Sequence, residues 1–272
     1  MFDAEHTAAL LIAARRARRV LPLLDVPPPS LQDGIATQLA IARHQGAVPP
    51  AGFKIGATTK GMQAYLGLPG PAAGFMAEAN VHGSGSTLAY SAFVNPGVEC
   101  ELAVHLSAAL PPGPCTPEQA AAAVDGVMAA IEVVENRYPG MFSLELPGMF
   151  SQESPGVQAF GTPGVVADSV FHAAAVLGMP DPGWRDLDLE ALPGRILVDG
   201  VERGAGSGAD LLGGPMRALA WLAASAEAAA FGGLQAGQVV MLGSVALPVW
   251  LDGPGRIEVQ FPPLAPVLLD LV

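Results

Sequence analysis

Cysteine is nearly absent from this 272-residue chain: Cys100 and Cys115 are the two present. Two cysteines build neither a disulfide framework nor a four-cysteine zinc site, and a reducing cytoplasm is the expected compartment. Charge is scarce, at 14% of residues, and basic charge scarcest: 13 Lys and Arg stand against 25 Asp and Glu, for a net charge of −12. So acidic a chain repels phosphate backbones, which argues against nucleic acid as a partner. Long hydrophobic runs are missing too. Mean hydropathy is positive, +0.41, yet no stretch of about 18 apolar residues runs free of Gly, Pro and charge. The nearest, residues 211–231, is broken by Pro215, Arg217 and Glu227. Neither a membrane partner nor a signal peptide is expected, because Asp3 and Glu5 precede the first apolar stretch and Arg15, Arg16, Arg18 and Arg19 follow it. Gly-x-Gly-x-x-Gly, phosphate-loop and Gly-x-Ser-x-Gly motifs are lacking, which removes most of the case for nucleotide cofactors and serine-elbow hydrolases.

What is present is a core. Hydrophobic residues make up 51% of the chain, which excludes wholesale disorder, and the length suits one large domain or two small ones. Residues 1–50 read as a helical N-terminal region. One helix spans 6–21 and ends at Pro22; a second starts at the Ser30 cap and runs to about residue 45. From residue 51 to 272 the texture is that of a β-rich domain. Short strands fall at 51–56, 98–104, 128–134, 238–242 and 256–261. Thr116-Pro-Glu-Gln119 is a capping box, and Asp199-Gly200 is the turn of a hairpin over 195–203. One helix is expected over 215–231. Residues 137–155 form a long loop rich in Pro, Gly, Met and Phe. Its Tyr138, Met141, Phe142, Leu144, Leu146, Met149 and Phe150 suit core packing, a subunit interface, or a lid that favours an apolar substrate tail. The mixed order of elements points to an α+β fold.

The chemistry is concentrated in misplaced charges. Glu99 and Glu101 are two apart on a strand and leave the same face, with Val98, Leu102, Ala103 and Val104 around them. A Glu-x-Glu pair is ordinary on a wet sheet edge; on a buried face it requires a cation or an arginine. Glu132, between Ile131 and Val133, is equally out of place. Three carboxylates on two strands form an all-oxygen site suited to Mg²⁺ or Mn²⁺. Lys54, between Phe53 and Ile55, is either a snorkelling lysine at a strand end or a cation held beside a carboxylate or enolate. Removing it is expected to leave stability roughly level or to raise it, on the premise that its charge is unpaired. Glu135 faces the other way from Glu132 and is read as surface. His6, His44 and His172 are assigned to surface helices and His82 to a loop, and His105 shares the face of Glu99 and Glu101. Cys100 faces away from them.

Four stretches together resemble the 2-keto-4-pentenoate hydratase / 4-oxalocrotonate decarboxylase family, a branch of the fumarylacetoacetate hydrolase superfamily. They are Gly52-Phe-Lys-Ile-Gly56 with Thr58, Pro96-Gly-Val-Glu-Cys-Glu101, Ala130-Ile-Glu-Val-Val134 running to Arg137, and Gly206-Ser-Gly-Ala with Ala218-Leu-Ala-Trp-Leu222. Ser30-Leu-Gln-Asp33 and Gln38 also fit. The resemblance implies a mostly-β roll around a divalent metal held by Glu99, Glu101 and Glu132. It implies Lys54 as the active-site lysine, and Glu78 where relatives carry an Asp. It implies a metal-dependent lyase on a small 2-oxo or 2-hydroxydienoic acid, a hydratase first. The alternatives are a decarboxylase, a C–C bond hydrolase and a non-catalytic partner of an active relative. A homo-oligomer is expected. The family's Asp-Asn-Ala-Ser-Ser-Gly segment aligns here with Ser151-Gln-Glu-Ser-Pro-Gly156, which puts Gln152 and Ser154 on the substrate. Its Ser-Gly-Ala-Leu-Thr segment reads Leu242-Gly-Ser-Val-Ala246 and lacks the threonine hydroxyl.

Overall fold

The computed structural model describes residues 2–21, 24, 25, 27–138 and 156–272. Helix α1 (Ala4–Arg16) starts at Asp3, whose side chain accepts the His6 N–H, and α2 (Leu31–His44) starts at Ser30, which accepts from Asp33. α1 stops short of the expected residue 21 because Arg18 turns into the left-handed region, at φ 50°. There follow β1 (Gly52–Gly56), α3 (Lys60–Leu66), β2 (Ala72–Met76), β3 (Val81–Gly83), β4 (Ser86–Leu88), β5 (Pro96–Leu106) and α4 (Pro117–Ala122). Next come β6 (Val124–Glu135), α5 (Gly156–Ala167), β7 (His172–Leu177), β8 (Pro193–Val198) and β9 (Val201–Ser207). The chain closes with α6 (Pro215–Ala223), α7 (Ala226–Ala230), β10 (Val239–Ser244), β11 (Val249–Trp250), β12 (Gly255–Gln260) and β13 (Val267–Leu271).

The strands form two sheets among the described residues. The larger runs β2-β1-β10-β5-β6-β7-β3, with β11 also paired to β5; the smaller runs β4-β13-β12-β8-β9. This is the expected α+β architecture. The capping box at Thr116 is present, and so is the hairpin, with Asp199 and Gly200 both at positive φ as a two-residue turn needs. The single helix expected over 215–231 is two, because Ser225 caps a new start by accepting the Ala228 N–H.

Register decides where the charges meet. On the antiparallel pair β5 and β6, Glu99 lies opposite Glu132 and Glu101 opposite Ala130, so all three glutamates share one face. On β1, Lys54 is level with Met241 of β10, which in turn is level with Ala103 of β5. That same face continues as a dry patch of Met76, Ala103, Met128, Ala130, Ala175 and Met241. The opposite face carries Phe53, Ile55, Cys100, Leu102, Ile131 and Val133 into the main core, together with residues of α1 and α2. Gln38 of α2 is fully buried and donates to the Ala73 and Val166 carbonyls, tying the N-terminal helices to the sheet.

Two sequence expectations are overturned here. His172 does not lie on a surface helix; it opens the buried strand β7, 2% exposed. The run His-Ala-Ala-Ala has helical propensity, but between β6 and β3 small side chains are what the sheet admits. Glu135 does face away from Glu132, as its parity requires, yet that face is covered as well and Glu135 is buried. It accepts the Val94 N–H and pairs with the fully buried Arg137 at 3.2 Å.

Candidate metal centre

Glu101 and Glu132 are fully buried and Glu99 is half-buried. One carboxylate oxygen from each lies within 4.8 Å of the other two. A register shift in β10 turns the Gly243 N–H onto Glu101 Oε2 at 2.9 Å, which fixes that carboxylate. Glu132 Oε1 is held twice, by Lys54 Nζ at 3.3 Å and by His172 Nδ1 at 2.8 Å. Glu101 Oε1 and Glu132 Oε2 are buried with no hydrogen-bond partner among the described residues. Buried carboxylate oxygens left bare beside like charges are a donor set for a hard cation, so these residues fit a divalent metal.

The protonation equilibria follow from this crowding. In the metal-free protein, burial first and the Glu132 charge second push Glu99 up to about 8, against the pull of Lys54. Glu101 is pushed well up by burial, then by Glu132 and Glu99. Burial would raise Glu132 too, but Lys54 and the His172 hydrogen bond outweigh it and hold Glu132 below its usual range. Burial opposes the charge on Lys54, yet the three glutamates hold its pKa above the ordinary value. Burial lowers His172 despite Glu132. Facing an ionised carboxylate, a neutral imidazole must use Nδ1 as its donor, and its Nε2 is buried without a partner among the described residues.

A pH effect follows. The folded metal-free chain retains protons at Glu99 that the unfolded chain has released, between pH 4.5 and about 8. Raising pH across that window therefore lowers stability. A divalent ion binds the ionised carboxylates, so its stabilisation grows over the same window. The gap in melting temperature between Mn²⁺-loaded and metal-free protein is expected to widen from pH 5 to pH 8; a constant gap would contradict the titration of this cluster.

One segment builds the wall beside the carboxylates. Ser169, Val170 and Phe171 stand in succession at φ 56°, 52° and 66°, an unusual conformation for a β-branched residue such as Val170. Asp168 anchors this turn, binding Arg15 of α1 at 3.1 Å and also Arg137. Arg15 further donates to the His172 carbonyl at 3.0 Å. The turn points the Val170 carbonyl at Lys54 Nζ, 2.8 Å away. It fits because Gly56 and Gly74 lie under it: a Cβ on Gly74 would stand 2.5 Å from the Ser169 carbonyl oxygen, and one on Gly56 would stand 2.6 Å from Val170 Cγ1.

Two cavities open on the cluster. The smaller has Lys54 and Glu99 in its wall with Met62, Leu66, Val170 and Phe171. The larger shares Glu99 and Met62 and adds Thr58, Thr59, Ser244 and Ala246. The structure thus brings Lys54, Glu99, Glu101 and Glu132 together. It does not bring Glu78, which is exposed on a short turn beyond the Met76 end of β2 and lines a different surface groove. The β1–β2 register explains this: Met76 is level with Gly52, while the cavities open toward Gly56. His105 sits at the far end of β5 against Asp125, at 2.7 Å. Cys100 is buried on the opposite face and its thiol is pushed up by burial. Gln152 and Ser154, with the rest of 139–155, lie outside the described residues; Tyr138 is buried against Phe160 and Phe171, as core packing requires. Sequence reasoning missed His172, Asp168 and the Val170–Phe171 wall, because none of them breaks an apolar strand pattern.

The family model described as fumarylacetoacetate (FAA) hydrolase C-terminal matches residues 51–265. The chain belongs to the fumarylacetoacetate hydrolase family. Within that family it is 30% identical to the 2-keto-4-pentenoate hydratase of Burkholderia vietnamiensis, over 95% of this chain and 97% of that protein. It is 26% identical to the 4-oxalocrotonate decarboxylase of Pseudomonas putida, over 97% and 93%. The solved structure of 4-oxalocrotonate decarboxylase from Pseudomonas putida G7, complexed with magnesium and adipate, covers 100% of this chain and 99% of its own. Its TM-score is 0.81 at 24% identity, a likeness of fold. Among the described residues, no helix is long and apolar enough to cross a membrane.

Proposed function

We propose that this protein is a divalent-metal-dependent lyase of small 2-oxo or 2-hydroxydienoic acids, and in the first place a hydratase. The observation that carries the reading is the convergence of Glu99, Glu101 and Glu132 beside Lys54, with two carboxylate oxygens left bare. Metal-complexed relatives of the same fold support it. The three glutamates would hold Mg²⁺ or Mn²⁺. Such an ion supplies Lewis acidity to the oxygens of a 2-oxo acid and stabilises negative charge that builds on them.

The rest falls to the chain itself. Lys54 keeps Glu132 ionised and stands as a fixed cation in the cavity wall, where an anionic substrate oxygen arrives. His172 and the Gly243 N–H hold two of the carboxylates in orientation, so the donor set is preorganised. Of the described side chains lining the two cavities, only Lys54 and Glu99 are ionisable. In hydration of 2-hydroxypentadienoate, the 2-hydroxyl loses its proton as carbon 5 gains one; water's oxygen then bonds to carbon 4, and carbon 3 takes up the proton the water gives up. Decarboxylation is the second reading, favoured by the decarboxylase relatives: it passes through the same electron-rich diene but releases CO₂ from the far end.

The test incubates the Mg²⁺-loaded protein with 2-hydroxypentadienoate and, separately, with 4-oxalocrotonate, following ultraviolet loss of the diene and release of CO₂. Loss of the diene from 2-hydroxypentadienoate without CO₂ from 4-oxalocrotonate is expected. The reverse result makes the protein a decarboxylase, and inertness toward both removes the lyase reading.

A further inference from the structure

We infer that the substrate of this site carries an uncharged, apolar tail, so that a 2-oxo acid with an alkyl or aryl far end is bound in preference to a diacid; the inference rests on the 2-oxo acid reading above. Its ground is the chemistry of the walls. In the smaller cavity, the described lining side chains other than Lys54 and Glu99 are aliphatic or aromatic, Met62, Leu66, Val134 and Phe171 among them. The larger cavity offers the hydroxyls of Thr58, Thr59 and Ser244, but no cation among the described residues. Of these, Thr59 Oγ1 already accepts the Met62 N–H and Ser244 Oγ donates to the Ala246 carbonyl.

Among the described residues Lys54 is the lone cation in either wall, and it stands beside the glutamates, where it serves the 2-oxo end of the substrate and not its tail. Its Nζ donates to the Val170 carbonyl and pairs with Glu132. A carboxylate at the far end of the substrate would lose its hydration against Phe171 and Leu66 and gain no counter-ion among the described residues. An apolar tail gains from the same surfaces. The wall is also stiff. Phe171 and Val170 belong to the left-handed turn that Asp168 ties to Arg15 and Arg137, so it is not free to fold back and admit water around a charge.

An isosteric pair tests this on the full-length protein. 2-Oxo-5-methylhexanoate and 2-oxopentanedioate share one heavy-atom outline, two methyl groups standing where the diacid has two carboxylate oxygens. Calorimetric titration of each into Mn²⁺-loaded protein is expected to show at least tenfold tighter binding of the monoacid. Leu66→Arg, which supplies a cation from the end of a surface helix, is expected to narrow that ratio. Equal or tighter binding of the diacid by the unaltered protein overturns the inference and leaves the 2-oxo acid reading standing. Failure of both acids to bind a protein that has taken up Mn²⁺ overturns that reading and the inference with it.

Discussion

The Glu101→Gln protein is expected to fold and to lose its divalent metal. Glu101 Oε2 accepts the Gly243 N–H, and an amide oxygen can accept the same bond. The amide nitrogen must then take the place of Oε1, the bare oxygen on the metal side. A donor replaces an acceptor there, and one of three negative charges is removed. Changes behind a metal ligand already cost about 10–100-fold in affinity, so loss of a direct ligand is expected to exceed the upper end of that range. The metal-free mutant is expected to be no less stable than its parent, because burial and two neighbouring carboxylates already disfavour the ionised Glu101. Mn²⁺ titration followed by calorimetry, with a melting curve for each protein, checks both halves. Unchanged Mn²⁺ affinity would show that the three glutamates are not the donor set.

How much of this was legible in the sequence depends on the kind of signal. Glu99, Glu101 and Glu132 stood out because an ionised group inside an apolar strand is costly, and that anomaly is local. The capping box at Thr116 and the Asp199-Gly200 turn are local as well, and both appear as read. Register is not local. Nothing within β5 or β6 says that Glu99 faces Glu132; that needs the pairing of the strands. Glu135 shows the same limit from the other side, since parity gave its direction correctly but could not say that Arg137 and Asp168 cover that face. His172 precedes three alanines and looked like a helix residue until β7 placed it on Glu132.

Lys54→Met is expected to separate catalysis from metal binding, and here the structure changes what the sequence led one to expect. Lys54 is not unpaired: it lies 3.3 Å from Glu132 Oε1 and 2.8 Å from the Val170 carbonyl oxygen. Its removal leaves three carboxylates facing one another without a counter-charge. Breaking a buried pair by removing one partner costs about 3–5 kcal/mol, so the metal-free mutant is expected to melt well below its parent at pH 8. The loss is expected to shrink toward pH 5, where Glu99 and Glu101, both pushed up, are protonated and the repulsion fades. Lys54 itself stays charged in both folded and unfolded chains over that range and adds no slope of its own. Mn²⁺ should restore much of the stability and bind the mutant at least as tightly, since a competing cation has gone. Turnover should not recover, because among the described residues no other cation lines either cavity to meet the substrate anion; removing one such preorganised charge costs about 10²–10³ in kcat. A mutant that binds Mn²⁺ and turns over at the parental rate would retire Lys54 from the chemistry, and one whose metal-free melting point is unchanged at pH 8 would show that its pairing with Glu132 contributes nothing to the fold.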